Sequence, residues 1–280
     1  RPNLYYRVET TRRKDAFVAD YVRSHPGESG IIYCATRKNV DAVQEMLRGE
    51  DIPVARYHAG MTNEERRQSQ NDFIYDTAPV IVATNAFGMG IDKSNVRYVI
   101  HYNMPQSMEN YYQEAGRAGR DGLPSQCILL FSPQDIVINR FLLDHKENDD
   151  LDDEAADLLR ARDNQRLQAM ANYCQTTGCL RNYILRYFGE EPAGPCGSCG
   201  NCDREFEEVD MTAQAKWMIN CVAETRGRYG KGVVLNTLRG ANMARLRELG
   251  AMDYRSYGQL KDCTRDELDC LLAQLLEEGY

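Results

Sequence analysis

Long apolar runs are missing from this 280-residue chain: none reaches the length of a helical membrane span, which argues against an integral membrane protein. No secretory signal pattern opens the sequence, and a reducing compartment is expected. A phosphate loop of the form Gly-x-x-x-x-Gly-Lys-Ser/Thr is also lacking, so the chain is not expected to hold a nucleotide triphosphate by itself. Gly230-Lys231-Gly232 imitates part of one but has no hydroxyl residue after it. Positive charge is in deficit: 34 Lys and Arg against 42 Asp and Glu give a formal net charge of −8. Taken alone, that deficit argues weakly against a nucleic-acid partner. The acid is uneven, however, with a dense run at Glu147-Asn148-Asp149-Asp150-Leu151-Asp152-Asp153-Glu154, so a basic groove can survive elsewhere. Tryptophan occurs once, at Trp217, among apolar neighbours that suit core packing better than base stacking.

Hydrophobic residues, at 42%, are enough for a sizeable core and two or three domains. From residue 1 to about 145, short apolar runs alternate with helical patterns. The strand candidates are Leu4–Val8, Ile31–Cys34, Val54–His58, Val80–Ala83, Tyr98–Tyr102 and Gln126–Phe131. Helical spacing marks Lys14–Ser24, Val40–Arg48, Asn63–Asp76 and Ser107–Ala115, and Thr62 with Glu65 forms a capping box. This alternation predicts an α/β fold, a parallel sheet flanked by helices. Ligands of such sheets gather at the carboxyl ends of strands, where Thr36, His58, Thr84 and His101 stand. Each of these also fits as a helix cap or a satisfied hydrogen bonder.

Beyond the acidic run, residues 155–173 and Leu180–Phe188 read as helices, followed by a Gly/Pro/Cys-rich stretch and a charged linker at Glu205–Asp210. From Met211 onward helices return at Ala213–Thr225, Val233–Arg239, Ala244–Leu249 and Arg265–Glu278. The domains are therefore placed at 1–146, 147–206 and 207–280. Five of the ten cysteines fall between Cys174 and Cys202, a clustering that suggests metal rather than disulfides. Cys196-x2-Cys199-x2-Cys202 forms a knuckle, and Cys179 is taken as the fourth ligand because it opens the helix leading there. Four thiolates suit a structural Zn²⁺, with an iron–sulfur cluster as the rival. Four protein ligands leave no open position, so the ion is read as a staple for folding. Cys174 is taken as a non-ligand. Cys34, Cys127, Cys221, Cys263 and Cys270 read as small buried hydrophobes.

Arg117 and Arg120 lie three residues apart in Ala115-Gly116-Arg117-Ala118-Gly119-Arg120-Asp121-Gly122. Guanidinium is planar, permanently charged and bidentate toward phosphate oxygens, and the small residues admit close backbone approach. The pair reads as a cationic fork for a triphosphate offered across a domain interface. Solvated arginines at a helix C-terminus are the plainer alternative.

Taken in order, Ile31–Lys38, Tyr57–Met61, Val82–Lys93 and Tyr111–Gly122 closely resemble the second motor lobe of RecQ-type superfamily-2 helicases. Ala86-Phe87-Gly88-Met89-Gly90-Ile91-Asp92-Lys93 and Tyr111-Tyr112-Gln113-Glu114 before the arginines carry the RecQ wording. Tyr173–Cys179 and Tyr187–Glu190 are similar to the RecQ zinc domain, and Gly232–Gly240 to its winged-helix domain. The resemblance implies a RecA-like lobe, a helical zinc-binding domain and a partial winged helix whose β-wing is expected to be absent. It implies an ATP-dependent 3′-to-5′ DNA helicase of repair and recombination, bacterial and cytoplasmic, or nuclear in a eukaryote.

ATP and Mg²⁺ would sit mainly on a first lobe expected upstream of Arg1. Arg117, Arg120, Gln113 and Asp92 would meet the nucleotide from this side, with Asp92 otherwise forming a salt bridge within the lobe. Single-stranded DNA would run past the strand-to-helix turns, with Thr36, Arg37, His58, Thr84 and Asn85 as contacts, and Gly88, Met89 and Gly90 would form a tight loop between the two sides. Duplex would meet the winged helix, where Arg226, Arg228, Lys231, Arg239, Arg245 and Arg247 cluster near helix turns. The different-class alternative is a non-catalytic DNA-binding or partner-docking module; another is a translocase that separates no strands. Asp153-Glu154-Ala155-Ala156 imitates the family's Asp-Glu-x-His box but reads as a helix start.

Overall fold

Six short runs rich in Val, Ile, Leu and Tyr form strands β1 (Leu4–Thr10), β2 (Ser29–Tyr33), β3 (Val54–Tyr57), β4 (Val80–Ala83), β5 (Val96–His101) and β6 (Ser125–Phe131). All pairings are parallel, in the order β1-β6-β5-β2-β4-β3. β2 and β4 are buried at every residue, because helices cover both faces and leave no side for polar alternation. Helices α1 (Lys14–Ser24) and α2 (Arg37–Arg48) supply Val18, Val22, Val40, Val43 and Leu47 to one face. α3 (Asn63–Ile74) and α4 (Met108–Ala115) cover the other with Phe73, Met108 and Tyr111. The computed structural model describes residues 1–88, 92–144, 153–204 and 209–277, in two compact units, Arg1–Arg204 and Glu205–Tyr280.

Local chemistry sets the helix starts. Thr62 and Glu65 exchange the two hydrogen bonds of a capping box at α3. A helix not anticipated from the sequence, α5 (Pro133–Asp144), starts with Ser132 N–H donating to Asp135 Oδ2 at 2.8 Å. α6 (Asp153–Gln175) and α7 (Leu180–Tyr187) follow. Leu167, Met170, Tyr173, Leu180 and Ile184 join Leu4, Tyr6, Tyr111 and Phe131 in one core. The segments expected at 1–146 and 147–206 thus share a core, and the division of the chain falls between residues 204 and 205.

The second unit contains α8 (Thr212–Glu224), α9 (Lys231–Leu238), α10 (Ala244–Glu248) and α11 (Arg265–Glu277). No strand occurs among its described residues. Met218, Cys221, Leu235, Leu238, Leu268 and Leu271 form its core, with Trp217 packed against them. Glu224 clamps the loop before α11 by accepting from the N–H groups of Arg255 (3.0 Å) and Ser256 (3.1 Å). The acidic run at 147–152, the linker at 205–208, Met89, Gly90 and Glu278 lie outside the described residues.

Candidate functional site

The carboxyl ends of β2, β3 and β4 bring the expected DNA-contacting residues to one edge of the sheet. Thr36 caps α2 by accepting from Asn39 N–H at 3.2 Å. Arg37 is exposed on the first turn of α2, where the orphan N–H groups and helix dipole favour an anion. Asn85 is exposed after β4 and lines a cleft of about 100 Å³ together with His101, Asn103 and Asn110. Two other candidates turn inward. His58 is 6% exposed: its Nδ1 accepts from Gly60 N–H (3.2 Å), which leaves Nε2 to donate to Asp41 (3.2 Å). Thr84 is buried, and its N–H donates to the Tyr57 carbonyl at 3.1 Å. His58 is thus engaged at both ring nitrogens, and the Thr84 backbone ties the turn after β4 to β3. His101 is buried as well, and its Nε2 lies 2.9 Å from Glu114 Oε2.

The two arginines do not form a fork. Arg117 is 8% exposed and donates from Nη1 to the Gly88 carbonyl at 2.5 Å. Gly88 has φ +122°, and a Cβ there would stand 2.2 Å from the Arg117 guanidinium carbon, so the close approach requires glycine. Gly119 at φ +56° turns the chain between the two arginines, and Arg120 emerges at the surface. Its Nη1 lies 3.1 Å from Asp92 Oδ1, whose side chain is 92% exposed. Arg120 and the exposed Gln113 line one open cleft with Tyr112 and Gly116. Spacing of three residues could not distinguish a fork from this divergence; the left-handed glycine between them decides it.

Arg117 and Arg120 therefore grip the two flanks of residues 89–91, at Gly88 and Asp92 respectively. Lys93 holds the downstream side, donating to Asp76 Oδ1 at 2.8 Å. Asp76 is a non-glycine residue at φ +59°, kept there by Lys93 and by the Ser29 hydroxyl. Along the chain this segment joins Asn85, after the carboxyl end of β4, to Ser94, which lies two residues before β5 and accepts from Asp121 N–H.

Cys179, Cys196, Cys199 and Cys202 converge as expected, with all ligand atoms within 4.8 Å of one another. Sγ–Sγ separations of 3.9 Å (Cys196–Cys202) and 4.0 Å (Cys199–Cys179) match the ~3.8 Å edge of a tetrahedron with Zn–S bonds of about 2.3 Å. The four thiolates of an iron–sulfur cluster are divided among two or four irons and cannot all stand this close, so the set fits a single ion. Burial pushes the Cys202 thiol up to about 12. At Cys199 burial also acts upward, yet N–H groups of Cys202, Leu180 and Asn201 outweigh it and bring the thiol to about 7. Such a crowd of sulfurs ionises together only around a cation.

Asn201 braces the loop by donating to the Thr176 and Gly178 carbonyls, both at 2.8 Å. Cys174 is buried in the core outside the cluster, and its thiol is pushed well up by burial. Cys34, Cys127 and Cys221 are buried, whereas Cys263 is half-buried and Cys270 exposed, which corrects the expectation for those two.

A parallel RecA-like lobe fused to a four-cysteine helical module, followed by a separate helical unit, defines the C-terminal part of a helicase core. The helicase conserved C-terminal domain family matches residues 13–122, the RecQ zinc-binding family 133–203 and the RQC domain family 205–280. The chain belongs to the RecQ family. It is 41% identical over its whole length to the ATP-dependent DNA helicase RecQ of Bacillus subtilis, covering 46% of that protein. It is 34% identical to the RecQ of Pasteurella multocida, of which it covers 43%, and 34% identical to the helicase hus2/rqh1 of Schizosaccharomyces pombe, of which it covers 21%. The chain thus spans less than half the length of these relatives. No described helix is long and apolar enough to cross a membrane.

Proposed function

We propose that the chain is the second motor lobe, zinc module and duplex-binding module of an ATP-dependent 3′-to-5′ DNA helicase. Arg120 carries this reading: it reaches the surface on a cleft with Gln113, held by Asp92. A preplaced guanidinium there stabilises charge on the γ-phosphoryl group of an ATP held, with Mg²⁺, by an upstream lobe. Gln113 reports the nucleotide state to the lobe interface. Arg117 acts as the anchor of Gly88 rather than as a second finger.

Phosphates of the tracked strand meet the α2 N-terminus through Thr36 and Arg37, with Asn85 alongside; such contacts ignore base identity. In the second unit the exposed Arg226, Arg228, Arg239, Arg245 and Arg247 face duplex. Zinc, held by the four cysteines, supplies folding energy and no reacting position. The protein works where DNA is kept, the bacterial cytoplasm or a eukaryotic nucleus. The test is strand separation by the full-length protein on forked DNA. Separation that needs ATP and a 3′ tail supports the reading, and translocation without separation overturns it. The chain by itself turns over no ATP; robust hydrolysis by it would place the nucleotide elsewhere.

A further inference from the structure

Behind the Ala35–Asn39 turn lies a polar cluster, half-buried at Asn39 and Asn103 and buried at Lys14 and Asp135, that the steps above leave unused. Asn103, two residues past β5, accepts at Oδ1 from Ala35 N–H (3.1 Å) and from Asn39 Nδ2 (3.0 Å). Asn39 also donates its backbone N–H to Thr36, so the turn converges on one carboxamide. That carboxamide can face only one way. Its Nδ2 donates to Asp135 Oδ1 at 3.2 Å, and a carboxylate only accepts. Asp135 is 4% exposed, and its Oδ2 accepts from Lys14 Nζ (2.7 Å) and Ser132 N–H (2.8 Å). Lys14, also buried, donates to the Tyr102 carbonyl at 2.9 Å. A buried ion pair adds little net stability over apolar residues of the same volume. What this one does provide is a fixed polarity for the amide of Asn103.

We propose that Asp135, charge-balanced by Lys14, is a positioning residue for single-stranded DNA. It orients Asn103, and Asn103 shapes the turn so that Thr36 and Arg37 meet a backbone phosphate. This rests on the reading of that turn as a DNA contact. Asp135→Asn tests this, and it also leaves Lys14 Nζ without a carboxylate, which the melting temperature registers separately. The new amide keeps its oxygen toward Lys14 and Ser132 and turns its NH₂ against Asn103 Nδ2, donor against donor. Asn103 must then rotate, and Ala35 N–H meets an NH₂ group instead of an oxygen.

The experiment measures binding of the chain to a labelled oligothymidine across a salt series, with melting temperatures recorded in parallel. Asp135→Asn should lower affinity by up to about tenfold, the scale of one lost hydrogen bond. The slope of log K against log salt should become shallower by about 0.7, one phosphate contact on a single strand. Asp135→Asn combined with Asn103→Asp, in which Ala35 N–H again faces oxygen, should regain affinity over Asp135→Asn, though not the full wild-type value because a carboxylate then stands at the phosphate-binding turn. A merely structural role would not give that rescue, and its failure overturns the proposal.

Arg37→Ala separates the two levels. If it leaves slope and affinity unchanged, the turn does not bind DNA and the parent reading fails. If it shallows the slope while folded Asp135→Asn does not, the positioning role fails alone. Should Asp135→Asn unfold the chain, Asn103→Ala, which spares the cap of α5, carries the same expected loss and the same refutation.

Discussion

Removing the metal should loosen one edge of the sheet and spare the other. The zinc module covers the outer edge of β1 with backbone and side-chain bonds. Gly200 N–H donates to the Tyr6 carbonyl at 2.8 Å, Arg181 to the carbonyls of Arg1 and Leu4 at 2.6 Å each, and Arg204 to that of Val8 at 3.2 Å. Tyr5 donates to Asp203 at 2.6 Å, and Cys199 is fully buried in the core that holds Tyr6. At a free zinc concentration a hundredfold above Kd, the ion contributes about 2.7 kcal/mol. In a unit of this size each kcal/mol moves the midpoint by about 2–4 °C, so chelation should lower Tm by about 5–11 °C. Calorimetry with and without chelator measures the shift, and amide exchange locates it. Protection should fall in β1 and around the cysteines while β2, β4 and β5, packed on α1 and α2, keep theirs. An unchanged midpoint with the metal verifiably gone, or a β1 indifferent to its loss, would refute the shared-core account.

Gly30→Ala should destabilise the lobe by about 1–3 kcal/mol, because the added Cβ would stand 1.9 Å from a ring carbon of the fully buried Tyr98. A wild-type urea midpoint in this variant would show that the ring can yield. The Asp76 carboxyl is held below its ordinary range chiefly by the hydrogen bond from Lys93, which outweighs the upward push of burial, with further help from Ser29. A folded value below the unfolded one gives stability that is present at neutral pH and lost as pH falls through the usual carboxylate range to the lowered value. Asp76→Asn should therefore flatten the acid limb of the Tm–pH curve, and an unchanged limb would mean that Asp76 gains nothing on folding.

Much of the lobe could be read from side-chain pattern alone, because strands buried on both faces have little freedom in composition. Val80–Ala83 is a strand at the residues expected, and Thr62 starts α3 by the chemistry its spacing announces. α5 was missed although Ser132-Pro133-Gln134-Asp135 carries an N-cap, a first-turn proline and an acidic third position; that signal was available. Three of the four cysteines were legible from the tight spacing of the knuckle, and the fourth, Cys179 rather than Cys174, from its place at the start of the helix leading there. The inward turn of His58 and Thr84 was not, since a polar residue at a strand end serves equally as ligand donor or internal brace until Asp41 and Gly60 are seen beside it. Nor could spacing reveal that Arg117 faces the interior: that depends on Gly88 and on the left-handed turn at Gly119.

The most direct measurement compares Arg120→Ala with Arg117→Ala in the full-length protein, following ATP turnover, single-strand affinity and Tm together. Arg120→Ala should cut turnover on the order of a thousandfold while leaving Tm and DNA affinity near wild type. Arg117→Ala should lower Tm, because it empties a buried site and frees the Gly88 carbonyl. Normal hydrolysis by Arg120→Ala, or a loss confined to DNA binding, would contradict the assignment of that side chain to the nucleotide.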